Sequence, residues 1–134
     1  MIDFQFIKIK KFDVFHTDIW IEKIITKEKK ELGEIVFVFC SDDYLLQKNI
    51  QFLKHDTLTD VITFDYCCDM KISGDILISI DRVKENAKKY ESDFYTELNR
   101  VMAHGLLHLL GYSDKTLEEK KIMREKEDFY LQKR

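Results

Sequence analysis

Proline is absent from the chain's 134 residues, glycine occurs only four times, and cysteine only three. Without proline, and with no repeat, low-complexity tract or linker-like stretch, the chain reads as a single domain over residues 1–134. The cysteines are odd in number, Cys67 and Cys68 are adjacent, and no Cys-x-x-Cys spacing exists. That pattern excludes a disulfide framework and a cysteine-based zinc knuckle, and leaves buried or idle thiols. No stretch approaches the ~20 consecutive apolar residues that span a bilayer. The opening Met1-Ile2-Asp3-Phe4 lacks the basic-then-apolar order of a secretory signal. A cytoplasmic protein with no membrane partner is expected.

Charge of one sign is also lacking. The net charge is −3, so bulk composition does not announce a nucleic-acid binder. Lysines nevertheless gather locally, at Lys8, Lys10 and Lys11 and again at Lys84, Lys88 and Lys89. Such runs are solvated faces or a basic surface hidden in a neutral total. What is plentiful is core material: 45% hydrophobic residues, including ten Phe and six Tyr.

The apolar pattern orders the elements. Ile2, Phe4 and Phe6 alternate as in a strand, and Ile7 with Ile9 shifts parity, which predicts a bulge. Trp20, Ile21, Ile24 and Ile25 mark one face of a helix beginning near Thr17, with Gly33 as its breaker. Ile35 to Phe39 is a continuous run suited to a strand covered on both faces. Ser41 opens a short helix reaching about Asn49. Val61–Phe64 and Asp75–Ile80 supply two more strands, joined by a loop from Cys67 to Ser73. Asp81 and Ser92 are read as caps of the next two helices, and Gly111 as the residue that ends the second. Thr116 and Glu119 form a capping box for a terminal helix. The expected fold is α/β (α+β): a four-stranded mixed sheet with packed helices.

Chemistry concentrates in His104-Gly105-Leu106-Leu107-His108. A spacing of four on a helix of ~3.6 residues per turn places both imidazoles on one face. Two neutral imidazoles so placed can share one metal ion, as in the His-Glu-x-x-His helix of zinc proteases. Gly105 replaces that glutamate, removing the usual peptidase base. Gly111 turns the chain back, and Asp114 follows close enough to serve as third ligand. Glu97 lies seven residues before His104, nearly on the same face but two turns away. It suits a catalytic water better than the ion itself. His16 and His55 read as structural or loop residues.

The run His104 to Asp114 resembles the signature of the YbeY family of bacterial rRNA maturation factors, which reads His-Gly-x-Leu-His-Leu-x-Gly-Tyr-Asp-His. Thr59-Asp60-Val61-Ile62-Thr63-Phe64 is similar to that family's Thr-Asp-Val-Leu-Ser-Phe strand, and Gly74-Asp75-Ile76 to its Gly-Asp-Ile opening. Glu97, Met123 and Glu127 also fall in place. The resemblance implies one three-ligand zinc ion, a metalloprotease-like metal helix, and endoribonuclease action in 16S rRNA maturation and small-subunit quality control. Its partners would be ribosomal RNA and the small ribosomal subunit, with DNA not expected. Two residues depart from the pattern. Asp114 stands where the family usually has a third His, and Leu53 where it has an Arg thought important for RNA cleavage. Three readings follow: a metal-dependent endoribonuclease, a non-enzymatic ribosome-assembly adaptor with a structural metal, and a hydrolase of some unrelated small substrate.

Overall fold

The computed structural model describes residues 1–53 and 59–134; His55 lies outside the described residues. In chain order the elements are β1 (Ile2–Ile7), α1 (Thr17–Lys27), β2 (Glu31–Cys40), α2 (Asp42–Lys48), β3 (Val61–Asp65), β4 (Lys71–Ser79), α3 (Ile80–Lys89), α4 (Phe94–Leu109) and α5 (Leu117–Gln132). A π-helical segment, Asn49–Leu53, continues α2. The four strands form one sheet in the order β1-β2-β4-β3. The first two pairings are parallel and the last is antiparallel, so the sheet is mixed as expected.

Position in the sheet explains the strand sequences. β2 and β4 are central and covered on both sides, which is why their apolar residues run on without alternation. On one face Ile35, Phe37, Phe39, Ile76 and Ile78 pack against Trp20, Ile24, Leu98, Met102 and Leu106 from α1 and α4. On the other, Val38, Cys40, Ile62 and Leu77 pack with Leu45 of α2. Trp20 Nε1 donates to the Tyr130 carbonyl at 2.9 Å, tying α1 to α5 inside the core.

Several sequence expectations shift. The parity change at Ile7 is no bulge: β1 pairs regularly to Ile7, then Lys8 takes a left-handed φ of 64° and the chain leaves the sheet. α1 stops at Lys27, six residues short of Gly33, which belongs instead to β2. There the β2–β4 register slips between Leu32 and Ile35, and a Cβ on Gly33 would stand 2.1 Å from Ser73 Oγ. β4 begins already at Lys71, and Ile80 opens α3. Ser79 caps α3 by accepting from Arg82 N, while Asp81 accepts from Asp42 N at 2.8 Å and fastens α2 to α3. Asp93, rather than Ser92, caps α4. Each of the two cap differences exchanges one short polar residue for another nearby of similar capping ability.

Of the thiols, Cys40 is buried and Cys68 exposed. Burial, with Asp42 and Asp81 nearby, pushes the Cys40 thiol up to about 12, so it stays protonated and inert. No helix among the described residues is long and apolar enough to cross a membrane.

Candidate metal centre

α4 carries both histidines on the side turned toward α5 and the loop that follows. Their Nε2 atoms stand 3.0 Å apart, with the ring planes nearly perpendicular. Gly111 ends the helix with φ +105°, a conformation L side chains rarely adopt. Its N–H donates to the His108 carbonyl and the Tyr112 N–H to the Leu107 carbonyl, both at 3.0 Å, which is the paired closure of a Schellman turn. The turn swings Asp114 back, so that its Oδ2 lies 3.3 Å from His104 Nε2 and 3.4 Å from His108 Nε2.

Those separations can be tested against a metal. Zinc–nitrogen bonds of ~2.0–2.1 Å and zinc–oxygen bonds of similar length imply roughly 3.3–3.4 Å between ligand atoms at tetrahedral angles. The observed 3.0, 3.3 and 3.4 Å match that edge length, and the three donor atoms can hold one metal ion.

Hydrogen bonding strengthens the case. His108 Nδ1 meets the Tyr112 carbonyl at 3.0 Å, and a carbonyl can only accept, so that nitrogen carries the proton. His104 Nδ1 meets Glu127 Oε2 at 2.7 Å and donates likewise. In the neutral imidazoles both Nε2 atoms are therefore left with lone pairs, aimed with a carboxylate oxygen at one point. Three lone pairs converging without a proton repel one another unless a cation sits among them. The His104 environment shows the same demand. Burial opposes a charged imidazole, yet the Glu127 hydrogen bond and the charges of Glu127, Asp114 and Asp60 outweigh it and move the pKa up.

Glu127 is the residue that sequence reasoning left without a role. It is buried, accepts from His104, and accepts from Arg100 Nη1 at 2.9 Å; Arg100 also binds Asp128 at 2.8 Å. A carboxylate behind a metal-facing histidine fixes its tautomer and orientation. On α5 Glu127 falls four residues after Met123, itself buried, and that spacing signals a buried face without naming the partner. Behind His108 stands a second cluster. Tyr112 Oη donates to Glu28 Oε1 at 2.6 Å, Tyr130 Oη donates to Glu28 Oε2, and Lys126 Nζ lies 3.1 Å from Oε2. Glu28, on the C-terminal cap of α1, thus anchors the loop whose carbonyl holds His108.

Gly105 faces inward. A Cβ there would stand 2.7 Å from Ile76 Cγ2, with Val61 and Thr63 close behind. The position that carries a peptidase glutamate in His-Glu-x-x-His is here pressed onto the sheet, so glycine is required for packing.

Beside His104 and Asp114 opens a cavity of about 420 Å3, whose lining includes Asp60, Glu97, Arg100, Lys120 and Arg124. Glu97 is brought to the cavity wall, buried; no direct bond joins it to His104, in keeping with its distance in sequence. Burial first, then the charge of Asp60, pushes its carboxyl above the ordinary range. Burial also raises Asp60, against the pull of His104. Leu53 closes the π-helical segment with 40% of its surface exposed, and supplies no cation.

Known proteins resemble the chain over nearly its whole length. The family model described as endoribonuclease YbeY matches residues 4–134. A protein of Cytophaga hutchinsonii named endoribonuclease YbeY is 57% identical over 113 residues, covering 84% of this chain and 79% of its own. One of Phocaeicola vulgatus with the same name is 46% identical over 125 residues, covering 92% and 91%. The solution structure of TM1509 from Thermotoga maritima superposes with a TM-score of 0.68 at 29% identity, over 96% of this chain and 87% of that one. With nearly the whole sequence matched and the histidine helix and its turn in place, the chain belongs to the YbeY endoribonuclease family.

Proposed function

We propose that this chain is a metal-dependent endoribonuclease acting on ribosomal RNA in the cytoplasm, in 16S maturation and small-subunit quality control. It would work as one domain over residues 1–134, with the small ribosomal subunit as partner. His104, His108 and Asp114 are the proposed ligands of a zinc ion or another divalent metal. The observation that carries this reading is the convergence of three lone-pair donors beside a cavity with cationic residues in its wall. A bound ion would supply Lewis acidity toward a phosphoryl oxygen and lower the pKa of coordinated water toward ~7.

The chain's own residues supply the rest. Phosphodiester cleavage moves a proton off the attacking oxygen, builds charge on phosphate, and returns a proton to the departing oxygen. Glu97 is the proposed catalytic acid–base: its raised pKa brings the Glu97 carboxyl nearer to neutrality, where proton transfer is efficient. Asp60, raised by burial in the same cavity, is a second candidate for the return step. Lys120 and Arg124, both on α5, line the cavity and Leu53 is not among its lining residues, so cationic support for phosphate comes from α5.

The adaptor reading is favoured by one observation, Leu53 at a position where a phosphate-binding Arg is expected. Against it, structural zinc sites are usually closed by four protein ligands, whereas only three donors gather here among the described residues. The deciding experiment incubates pure, metal-replete protein with precursor 16S rRNA, with and without chelator. Metal-dependent cleavage supports the nuclease; intact RNA from protein that still binds the small subunit establishes the adaptor.

A further inference from the structure

The cavity beside the metal centre does not end at Glu97. A second hollow of about 310 Å3 adjoins it, lined by Tyr90, Ser92, Thr96, Glu97, Arg100 and Arg124. Tyr90, Glu97, Arg100 and Arg124 line both, so the two are continuous. Each volume falls in the ~300–1,000 Å3 range of small-ligand sites.

We propose that this second hollow is a subsite for one unstacked nucleotide of single-stranded RNA, with its base on the Tyr90 ring and its flanking phosphate on Arg124. The inference rests on the nuclease reading and adds to it where the strand lies.

Tyr90 follows the last residue of α3 and is 63% exposed. Its ring stacks on no other aromatic among the described residues, and its one ring partner is Lys89, with Nζ 5.5 Å from the centroid. The ring contributes nothing to the core, yet it stands in the wall of both hollows. An exposed aromatic ring beside arginine side chains is a usual platform for an unpaired base, because every base offers a π face.

The two arginines differ in their freedom. Arg100 is engaged by Glu127 and Asp128 at 2.9 and 2.8 Å, and its side chain is only 20% exposed. The Arg124 side chain is 65% exposed, and its nearest carboxylate oxygen, on Glu127, is 4.0 Å away. That carboxylate already serves Arg100 and His104. Arg124 therefore keeps donors for an anion from outside. Lys120 lies four residues earlier on the same helix, exposed and with no ion pair among the described residues, so it extends the cationic row toward Asp114. Among the described residues, Glu97 is the one carboxylate in the second hollow. A phosphate on Arg124 would place the neighbouring phosphate along the row toward the metal centre, which couples the subsite to cleavage.

The test measures binding of a short oligouridylate with 2′-O-methyl riboses to metal-replete protein, alongside an abasic strand of equal length. Tyr90→Ala should raise Kd for the oligouridylate about 5- to 140-fold. Tyr90→Phe should restore it, and the abasic strand should bind Tyr90→Ala and the original protein equally. Arg124→Gln should lower the slope of log K against log salt by about 0.7, the value for one phosphate on a single strand. Circular dichroism and metal content confirm that each variant is folded and loaded. Unchanged oligouridylate affinity in Tyr90→Ala, or an unchanged salt slope in Arg124→Gln, overturns the subsite while RNA cleavage by the original protein preserves the nuclease reading. If the original protein binds no RNA, both fall together.

Discussion

His104 and His108 sit one turn apart on α4 and face a single point, yet the supports behind them are of different kinds. His104 rests on a buried side-chain charge: Glu127 accepts its Nδ1 proton and is itself paired with Arg100. His108 rests on backbone, the Tyr112 carbonyl, placed by the Gly111 turn and steadied at a distance by Glu28. A charge behind an imidazole raises its basicity as well as orienting it, whereas a carbonyl mainly orients. The two ligands should therefore respond differently to substitution: one through chemistry at the metal, the other through the geometry of a loop.

The largest effect removes a ligand outright. His108→Ala should abolish metal retention and metal-dependent RNA cleavage while the fold survives, because the imidazole is 27% exposed and no core contact depends on it. Metal analysis after dialysis and a thermal melt check this. Full metal occupancy in the variant would remove His108 from the ligand set.

Glu127→Gln sharpens the contrast. It keeps an acceptor for His104 and removes the charge, and losses of this kind behind a metal ligand cost ~10–100-fold in metal affinity. Arg100 retains Asp128, so unfolding of the protein is not expected. The matching change behind His108, Tyr112→Phe, removes the phenol and leaves the carbonyl, and metal affinity should change several-fold less. Competition with a chromogenic chelator measures both. Equal losses would mean that the two supports are equivalent after all.

Much of this was legible in the sequence, and the reason is local. The four-residue histidine spacing, the turn glycine and the Thr116–Glu119 capping box are short-range patterns, and each stands where its spacing puts it. Glu97 was legible only as a neighbour of the site: one helix places it on the cavity wall, but the charges that act on it there, Asp60 first, come mostly from distant parts of the chain. Glu127 and Glu28 act across 23 and 84 residues of chain, a pairing no spacing rule reveals. The caps at Ser79 and Asp93 were misread for a related reason. Adjacent short polar residues compete for one role, and Asp81 was drawn off by α2, a tertiary contact.

A smaller change tests how closely the histidine helix sits on the sheet. Gly105→Ala puts a methyl 2.7 Å from Ile76 Cγ2, and overpacking in a filled core costs ~1–3 kcal/mol. A lower Tm with near-normal metal affinity is expected, since the backbone shift is shared by both histidines and alters neither support. Stability equal to the original would show that α4 has room to move outward.

The smallest effect lies behind His108 and depends on pH. Burial pushes the Glu28 carboxyl upward, but hydrogen bonds from Tyr112, Tyr130 and Lys126 together with the Lys126 charge outweigh it, so its folded pKa is below the usual 4.5. A carboxylate with a lowered folded pKa stabilises the protein fully above its unfolded pKa, and that contribution is lost as pH falls through the folded value. Glu28→Gln cannot titrate and so lacks the contribution at every pH. The variant should melt below the original protein at pH 7, and the gap should narrow as pH drops below about 4.5. Other carboxylates lower both proteins' stability in acid, but they are common to the pair and cancel in the difference. A gap that stays constant from pH 7 to acid would show that Glu28 acts as a neutral hydrogen-bond acceptor. The Tyr112 loop would then be held by shape, and the distinction between the two histidine supports would be sharper still.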